Sequence, residues 1–307
     1  MSDVDPKAAN GMSGASQDSR KDDRQTPADA TGQPPRLRIA LSDALRHNWI
    51  DIWYQPKIDL KRKCLAGAEA LARIRHPQFG ILQPGSYLPD VDKDGITELA
   101  RRALLATLRD WTVFEEAGFN LTLAVNMPVD VLVKLPIPRL VAEYHPKSAR
   151  WPGLILEVTE DHIIRDAALA KEIAKIRGGG ISIAIDEFGA GFSSFSALRA
   201  LPFAELKIHR SFVVGCATDA ANAAICQTAI DLAHRFGSAA VAEGVENAAD
   251  LQALMVMGCD FGQGALIAPA MPKERFLELL RQRMNKPRAG TPRTAPSGSQ
   301  KAAGRVA

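Results

Sequence analysis

The sequence predicts an α/β fold, a (β/α)8 barrel of the TIM type with one antiparallel strand, flanked by disordered tails. Three observations carry that expectation. Eight apolar runs of strand length alternate with longer amphipathic segments between the two ends of the chain, the pattern of parallel βαβ units. Eight such runs in roughly 230 residues match a closed barrel better than an open doubly wound sheet, although counting alone leaves the open sheet standing. Only Asp59 to Cys64 separate the first two runs, too few residues for a crossover helix, so that pair is expected to be antiparallel.

The elements follow in order. Residues 1–36 are rich in Ser, Asp, Gln, Pro, Gly and Ala and bury too little apolar surface to offset the entropy of ordering, so they read as a disordered segment. The barrel domain spans 37–284, with strands expected at 52–58, 65–72, 121–125, 154–158, 181–185, 205–208, 239–242 and near 261–266. Helices are expected at 97–117, 167–176, 195–200, 220–236, 248–257 and 273–283. From 285 to 307 Pro and Gly punctuate a basic sequence, a second disordered tail.

The chain has 307 residues, 46% hydrophobic and 24% charged, values of a globular protein rather than a collagen or a coiled coil. Its 38 Lys and Arg against 35 Asp and Glu give a net charge of +3, which invites a nucleic-acid reading. The location of the charge removes it. Seven basic residues and no acid fall in 281–307, residues 1–36 carry −1, and 37–280 therefore carry −3. No polymeric nucleic acid is expected as a partner. The four cysteines, Cys64, Cys216, Cys226 and Cys259, form no CxxC pair and read as reduced thiols. No run nears the roughly 18 apolar residues of a membrane helix, and the first residues lack the basic and apolar regions of a signal peptide. A cytoplasmic protein without membrane attachment is expected.

Chemistry is suggested by where polar residues fall. Glu69, Asn126, Glu157, Asp186, Lys207 and Glu243 stand at or near the carboxyl ends of successive apolar runs, and in a barrel those ends converge on the face that carries active sites. One strand-end acid is ordinarily a cap or a surface residue; six polar residues in register are not. Carboxylates crowded there need a counter-charge, because burial and like charge both raise their pKa. Oxygen donors suit magnesium or manganese better than zinc. The stretch Asp186-Glu187-Phe188-Gly189-Ala190-Gly191 sets paired acids before a Gly-rich turn, a form suited to metal ligands beside a phosphate. No GxxxxGK[ST] loop occurs, so it is not a Walker site.

These residues resemble the EAL domains that hydrolyse cyclic di-GMP. Tyr54-Gln55-Pro56 is similar to the family's opening strand, and Glu69-Ala70-Leu71 to its signature tripeptide, with Arg73 following. Val125-Asn126, Glu157-Val158-Thr159-Glu160, Asp186 to Ser194, Leu206-Lys207-Ile208, Ala242-Glu243-Gly244-Val245-Glu246 and Gln263-Gly264 resemble its remaining motifs in order. The resemblance implies a phosphodiesterase that opens cyclic di-GMP to linear pGpG with two Mg2+ or Mn2+ ions. Glu69, Asn126, Glu157 and Asp186 would hold the first ion, and Asp186, Glu187 and Glu243 the second. Lys207 and Glu243 would handle the attacking water, with Glu69 counted among the catalytic groups. Arg73 and Gln263 would meet substrate, Glu160 would brace the loop after Asp186, and Glu246 would support local structure. Family members often pair through barrel helices, so a homodimer is compatible with the resemblance.

Four positions depart from the family pattern: Glu187 for the second Asp of the DD pair, Ala190 for Thr, His209 for the Asp of KID, and Ala265 for Tyr. Glu187 and His209 put in doubt the second ion site that the resemblance implies, where a shift of about 1 Å can cost on the order of 100-fold in rate. His209 reads first as a histidine hydrogen-bonded within its loop and second as a ligand for manganese or zinc. The rival to an enzyme is a non-catalytic EAL domain that serves as a cyclic di-GMP receptor or protein-interaction module.

Overall fold

The computed structural model describes residues 39–89, 91–159, 173–190, 198–199 and 201–284. The two expected tails, Glu160 and most of the helices expected at 167–176 and 195–200 lie outside the described residues.

Among the described residues ten strands form one sheet. They are β1 (Ile50–Asp59), β2 (Cys64–His76), β3 (Gly80–Leu82), β4 (Thr122–Asn126), β5 (Leu154–Thr159), β6 (Ile181–Phe188), β7 (Glu205–Ile208), β8 (Ala239–Ala242), β9 (Phe261–Gly262) and β10 (Met271–Pro272). Pairing in the order β1, β9, β8, β7, β6, β5, β4, β2 returns to β1 and closes an eight-stranded barrel. Strand β1 is antiparallel to both neighbours, β2 and β9, and the other ring pairings are parallel. The short link after Asp59 thus has the consequence expected of it. Strands β3 and β10 are add-ons, paired antiparallel to β2 and β1; at three and two residues they carry too little apolar pattern to announce themselves.

Sequence and burial agree within the ring. Strand β5 reads LILEVT with its first five residues buried, because a parallel strand under helices has no solvent face. On β1 the pleat separates two roles. Ile52 and Tyr54 sit in the main apolar core, and the Tyr54 hydroxyl donates to Asp110 at 2.7 Å. Lys57 has the opposite parity and reaches Glu205 on β7, with Nζ 2.5 and 2.6 Å from the two carboxylate oxygens. β1 and β7 are not neighbours in the ring, so this buried pair crosses the barrel interior.

Helices cover the outside. Helix α1 is Leu41–Arg46 and α2 is Lys93–Glu116. The latter starts earlier than its apolar pattern because Asp92 caps it, accepting from the Gly95 amide at 2.7 Å, as Asp does at helix starts. Its buried stripe includes Leu99, Ala103, Leu104 and Trp111, and the Trp111 indole donates to the Leu121 carbonyl at 2.9 Å. Helices α3 (Val129–Lys134), α4 (Ile137–Tyr144) and α5 (Arg210–Val213) are short and, like α1, were not anticipated. Helix α6 (Ala220–Arg235) is capped by Asp219, and α7 (Ala248–Met257) by Asn247. Gly258 stops α7 in a left-handed conformation, φ +85°, where glycine has no Cβ penalty. Helix α8 is Lys273–Met284. Among the described residues no helix is long and apolar enough to cross a membrane, and all four cysteines are free.

Candidate active site

The carboxyl ends of the parallel strands gather the polar residues. Glu69 comes from β2, Asn126 ends β4, Glu157 lies on β5, Asp186 on β6 and Lys207 on β7, while Glu243 and Gln263 directly follow β8 and β9. Glu205 and Lys207 are two apart on β7, so both point inward. Glu205 meets Lys57 deeper in the barrel, and Lys207 rises among the acids.

Lys207 is the centre of the site. Its side chain is 1% exposed, and Nζ lies 2.8 Å from Glu243 Oε1, 2.9 Å from Glu157 Oε2, 3.2 Å from Asp186 Oδ1 and 3.4 Å from Glu69 Oε2. One ammonium serves four carboxylates. Burial alone would lower the Lys207 pKa, yet the charges of Glu157, Glu69, Glu243 and Asp186 hold it well above the usual lysine value.

The acids differ in their environments. Burial pushes Glu69 up, but the Lys207 charge and hydrogen bonds from Gln263 and Asn126 outweigh it, and its carboxyl stays below the ordinary value. Those bonds are Asn126 Nδ2 to Oε1 and Gln263 Nε2 to Oε2, both 2.6 Å. Burial, with the Glu69 charge second, drives Glu157 well above the carboxylate range. Although Glu157 Oε2 is near the Lys207 ammonium, it accepts no hydrogen bond. Burial first, with Asp186 and Glu69 adding to it against Lys207, lifts Glu243 to about 7.

This environment bears on metal binding. The donors are oxygen-only, the acids exceed their protein counter-charge, and a buried carboxylate oxygen lacks a hydrogen bond, all features that fit a hard divalent cation. As they stand, however, no three His, Cys, Asp or Glu side chains among the described residues are spaced to hold a metal. The acids lie against Lys207, and it is the chemistry of the donors rather than their present spacing that fits the ion.

Above this layer lies a cleft of about 410 Å3 lined by Gln55, Leu71, Glu187, His209, Glu243 and Gln263 among others. Glu187 is exposed and takes φ +57° at a register irregularity between β6 and β7. Its amide donates to Asp186 Oδ1 at 2.9 Å. His209 caps α5: its Nδ1 faces the Ser211 amide at 3.3 Å and the Ser211 hydroxyl at 2.8 Å. That is the loop hydrogen-bonding expected first of it. Ala265 lines the cleft from an exposed position, and Ala190 closes a turn with its amide on the Glu187 carbonyl at 3.0 Å.

Among the described residues Arg73 forms no ion pair, although it feels the charge of Glu69. Its guanidinium lies 5.9 Å from the Trp53 ring centroid and donates to the Ala72 carbonyl at 2.9 Å. Glu246 pairs with Arg210 at 2.8 Å on the surface. The residues that sequence reasoning left without a role are Trp53 and Gln55, which share one face of β1, and the Lys57–Glu205 pair. The signal available was the alternation along Trp53, Gln55 and Lys57, with Ile52 and Tyr54 on the other parity.

Left-handed backbone is disfavoured for a long side chain and better tolerated by Asp. Glu187→Asp is therefore expected to stabilise the fold by about 0.5 kcal/mol, read by urea denaturation. An unchanged or lower midpoint would show that Glu187 is unstrained.

Fold and site together define a TIM-type barrel with an acidic, cation-attracting centre at its carboxyl-terminal face. The EAL domain family profile matches residues 38–270, and the chain belongs to the EAL domain family. It is 34% identical over 241 residues to the bifunctional diguanylate cyclase/cyclic di-GMP phosphodiesterase MucR of Pseudomonas aeruginosa, covering 77% of this chain and 35% of that protein. It is 33% identical over 262 residues to the cyclic di-GMP phosphodiesterase RocR of the same organism, covering 80% of this chain and 65% of that protein. The chain thus spans only part of the length of these relatives. Among solved structures, the PaMucR phosphodiesterase in complex with c-di-GMP superposes with TM-score 0.69 at 32% identity, covering 77% of this chain and 97% of that one. The EAL domain protein of Listeria monocytogenes EGD-e gives TM-score 0.64 at 27% identity, covering 78% and 96%.

Proposed function

We propose that this chain hydrolyses cyclic di-GMP to linear pGpG with the help of divalent cations, Mg2+ or Mn2+. The observation that carries the reading is the Lys207 ammonium among four strand-end carboxylates on the functional face of the barrel. The similarity to named cyclic di-GMP phosphodiesterases supports it.

In this reading Glu69, Asn126, Glu157 and Asp186 hold one cation, and Asp186, Glu187 and Glu243 a second. Bound cations supply Lewis-acid stabilisation of phosphoryl charge and acidify a water. The chain's own groups do the rest. Glu243, whose carboxylate lies 2.8 Å from the Lys207 ammonium, would take the proton of the attacking water. Lys207 orients the attacking oxygen and holds positive charge beside it. Gln263 and Asn126 fix the Glu69 carboxylate by its two hydrogen bonds, and Arg73 offers its guanidinium to a phosphate. In this reading the catalytic domain is residues 37–284, in the cytoplasm, compatible with a homodimer.

The receptor reading keeps one observation in its favour: His209, in place of an acid, is engaged in capping α5. A turnover assay separates the two. Purified protein with cyclic di-GMP and Mg2+ or Mn2+ is expected to yield pGpG by chromatography, and Glu69→Ala to reduce the rate by at least about 100-fold. Binding without pGpG, or turnover indifferent to Glu69→Ala, sinks the enzymatic reading.

A further inference from the structure

A second cleft lies on the outer side of the barrel, between α1, the start of β1 and α2. Its volume is about 440 Å3, within the roughly 300–1,000 Å3 typical of small-molecule sites. Four arginines from two helices line it, Arg46, Arg101, Arg102 and Arg109, over an apolar floor that includes Ile50, Ile52 and Leu105, and no acid is among its described lining residues.

The arginines are not equivalent. Arg102 is fixed, donating to the Leu45 carbonyl and to Glu98, both at 2.8 Å. Arg101 shares Glu98 through bonds of 2.7 and 2.8 Å, and Arg46 pairs with Asp43. Arg109 has no ion pair or hydrogen bond among the described residues. The two neighbouring acids, Glu98 and Asp43, therefore leave the cleft with an excess of two positive charges. Structural ion pairing explains Arg46, Arg101 and Arg102 individually; it does not explain an unpaired guanidinium beside an apolar floor.

Guanidinium forks suit phosphate oxygens and also stack on planar rings. An apolar floor under them suits the flat body of a base rather than a bare anion. We infer that this cleft binds a nucleoside monophosphate, with Arg109 and Arg101 on the phosphate and the base over Ile50, Ile52 and Leu105. The site is separate from the acidic centre: Ile50 and Ile52 face the helices, whereas Trp53 and Gln55 have the opposite parity on β1. It therefore does not depend on whether that centre turns over substrate.

The test is calorimetric titration of the full chain with GMP, and separately with inorganic phosphate, in EDTA so that no cation bridges an anion to the acidic centre. GMP is expected to bind more tightly than phosphate and to weaken as KCl rises, since exposed charges are screened. Arg101→Ala/Arg109→Ala is expected to lower GMP affinity at least about tenfold, a floor that the loss of a single charge-assisted contact would already reach. Arg109→Ala alone, at an exposed position, carries the test if the double variant does not fold. Absence of GMP binding, binding indifferent to these substitutions, or equal affinity for GMP and phosphate would each overturn the assignment.

Discussion

Replacing Lys207 with Met is expected to remove hydrolysis and to destabilise the metal-free barrel by about 3–5 kcal/mol at pH 8, the usual cost of leaving buried charges without their partner. The loss should shrink toward pH 5. With the ammonium gone, Glu157 and Glu243, already raised by burial and neighbouring charge, can take up protons in place of the missing cation. The measurement is urea denaturation in EDTA at the two pH values. Adding Mg2+ at pH 8 should return part of the lost stability, because an ion that binds only the folded state shifts the midpoint by mass action. A loss equal at both pH values and blind to Mg2+ would mean that Lys207 matters only as packing.

Glu157→Gln is expected to act in opposite directions on stability and activity. The folded-state pKa of Glu157 lies well above its ordinary value. Its favourable contribution is therefore complete below about pH 4.5, the unfolded carboxyl range, and is lost as pH rises toward the folded value. At pH 8 burial of this carboxyl works against the metal-free fold, and the neutral amide relieves it. We expect a gain of about 1 kcal/mol, or ~2–4 °C in melting temperature for a domain of this size, growing with pH between 5 and 8. Turnover should fall by at least about 100-fold. A variant that is less stable at pH 8 than the wild type would refute the electrostatic account of this residue.

Much of the fold was legible because apolar runs and caps act locally. Strands β7 and β8 and helix α7 match their expected limits, since each is a compact apolar run with its cap or turn beside it. Strand β6 runs on through Asp186 to Phe188, past its expected end at Ile185, because the polar pair belongs to the strand edge that forms the site. The short helices α1, α3, α4 and α5 were not legible, as fewer than three turns of pattern cannot be told from a loop. In the site, motif order brought Glu69, Asn126, Glu157, Asp186, Lys207, Glu243 and Gln263 into view before any geometry. What the motifs could not supply was the arrangement around Lys207, which depends on five strands meeting in space. The Lys57–Glu205 contact joins residues 148 apart, a separation at which no local periodicity operates.

That contact gives the barrel a direction. Lower in the interior, one lysine meets one carboxylate and the layer is neutral; at the strand ends one lysine meets four and the layer is short of positive charge. The unbalanced charge that can attract a cation is therefore confined to the mouth of the barrel, above a floor whose own lysine and carboxylate are already matched.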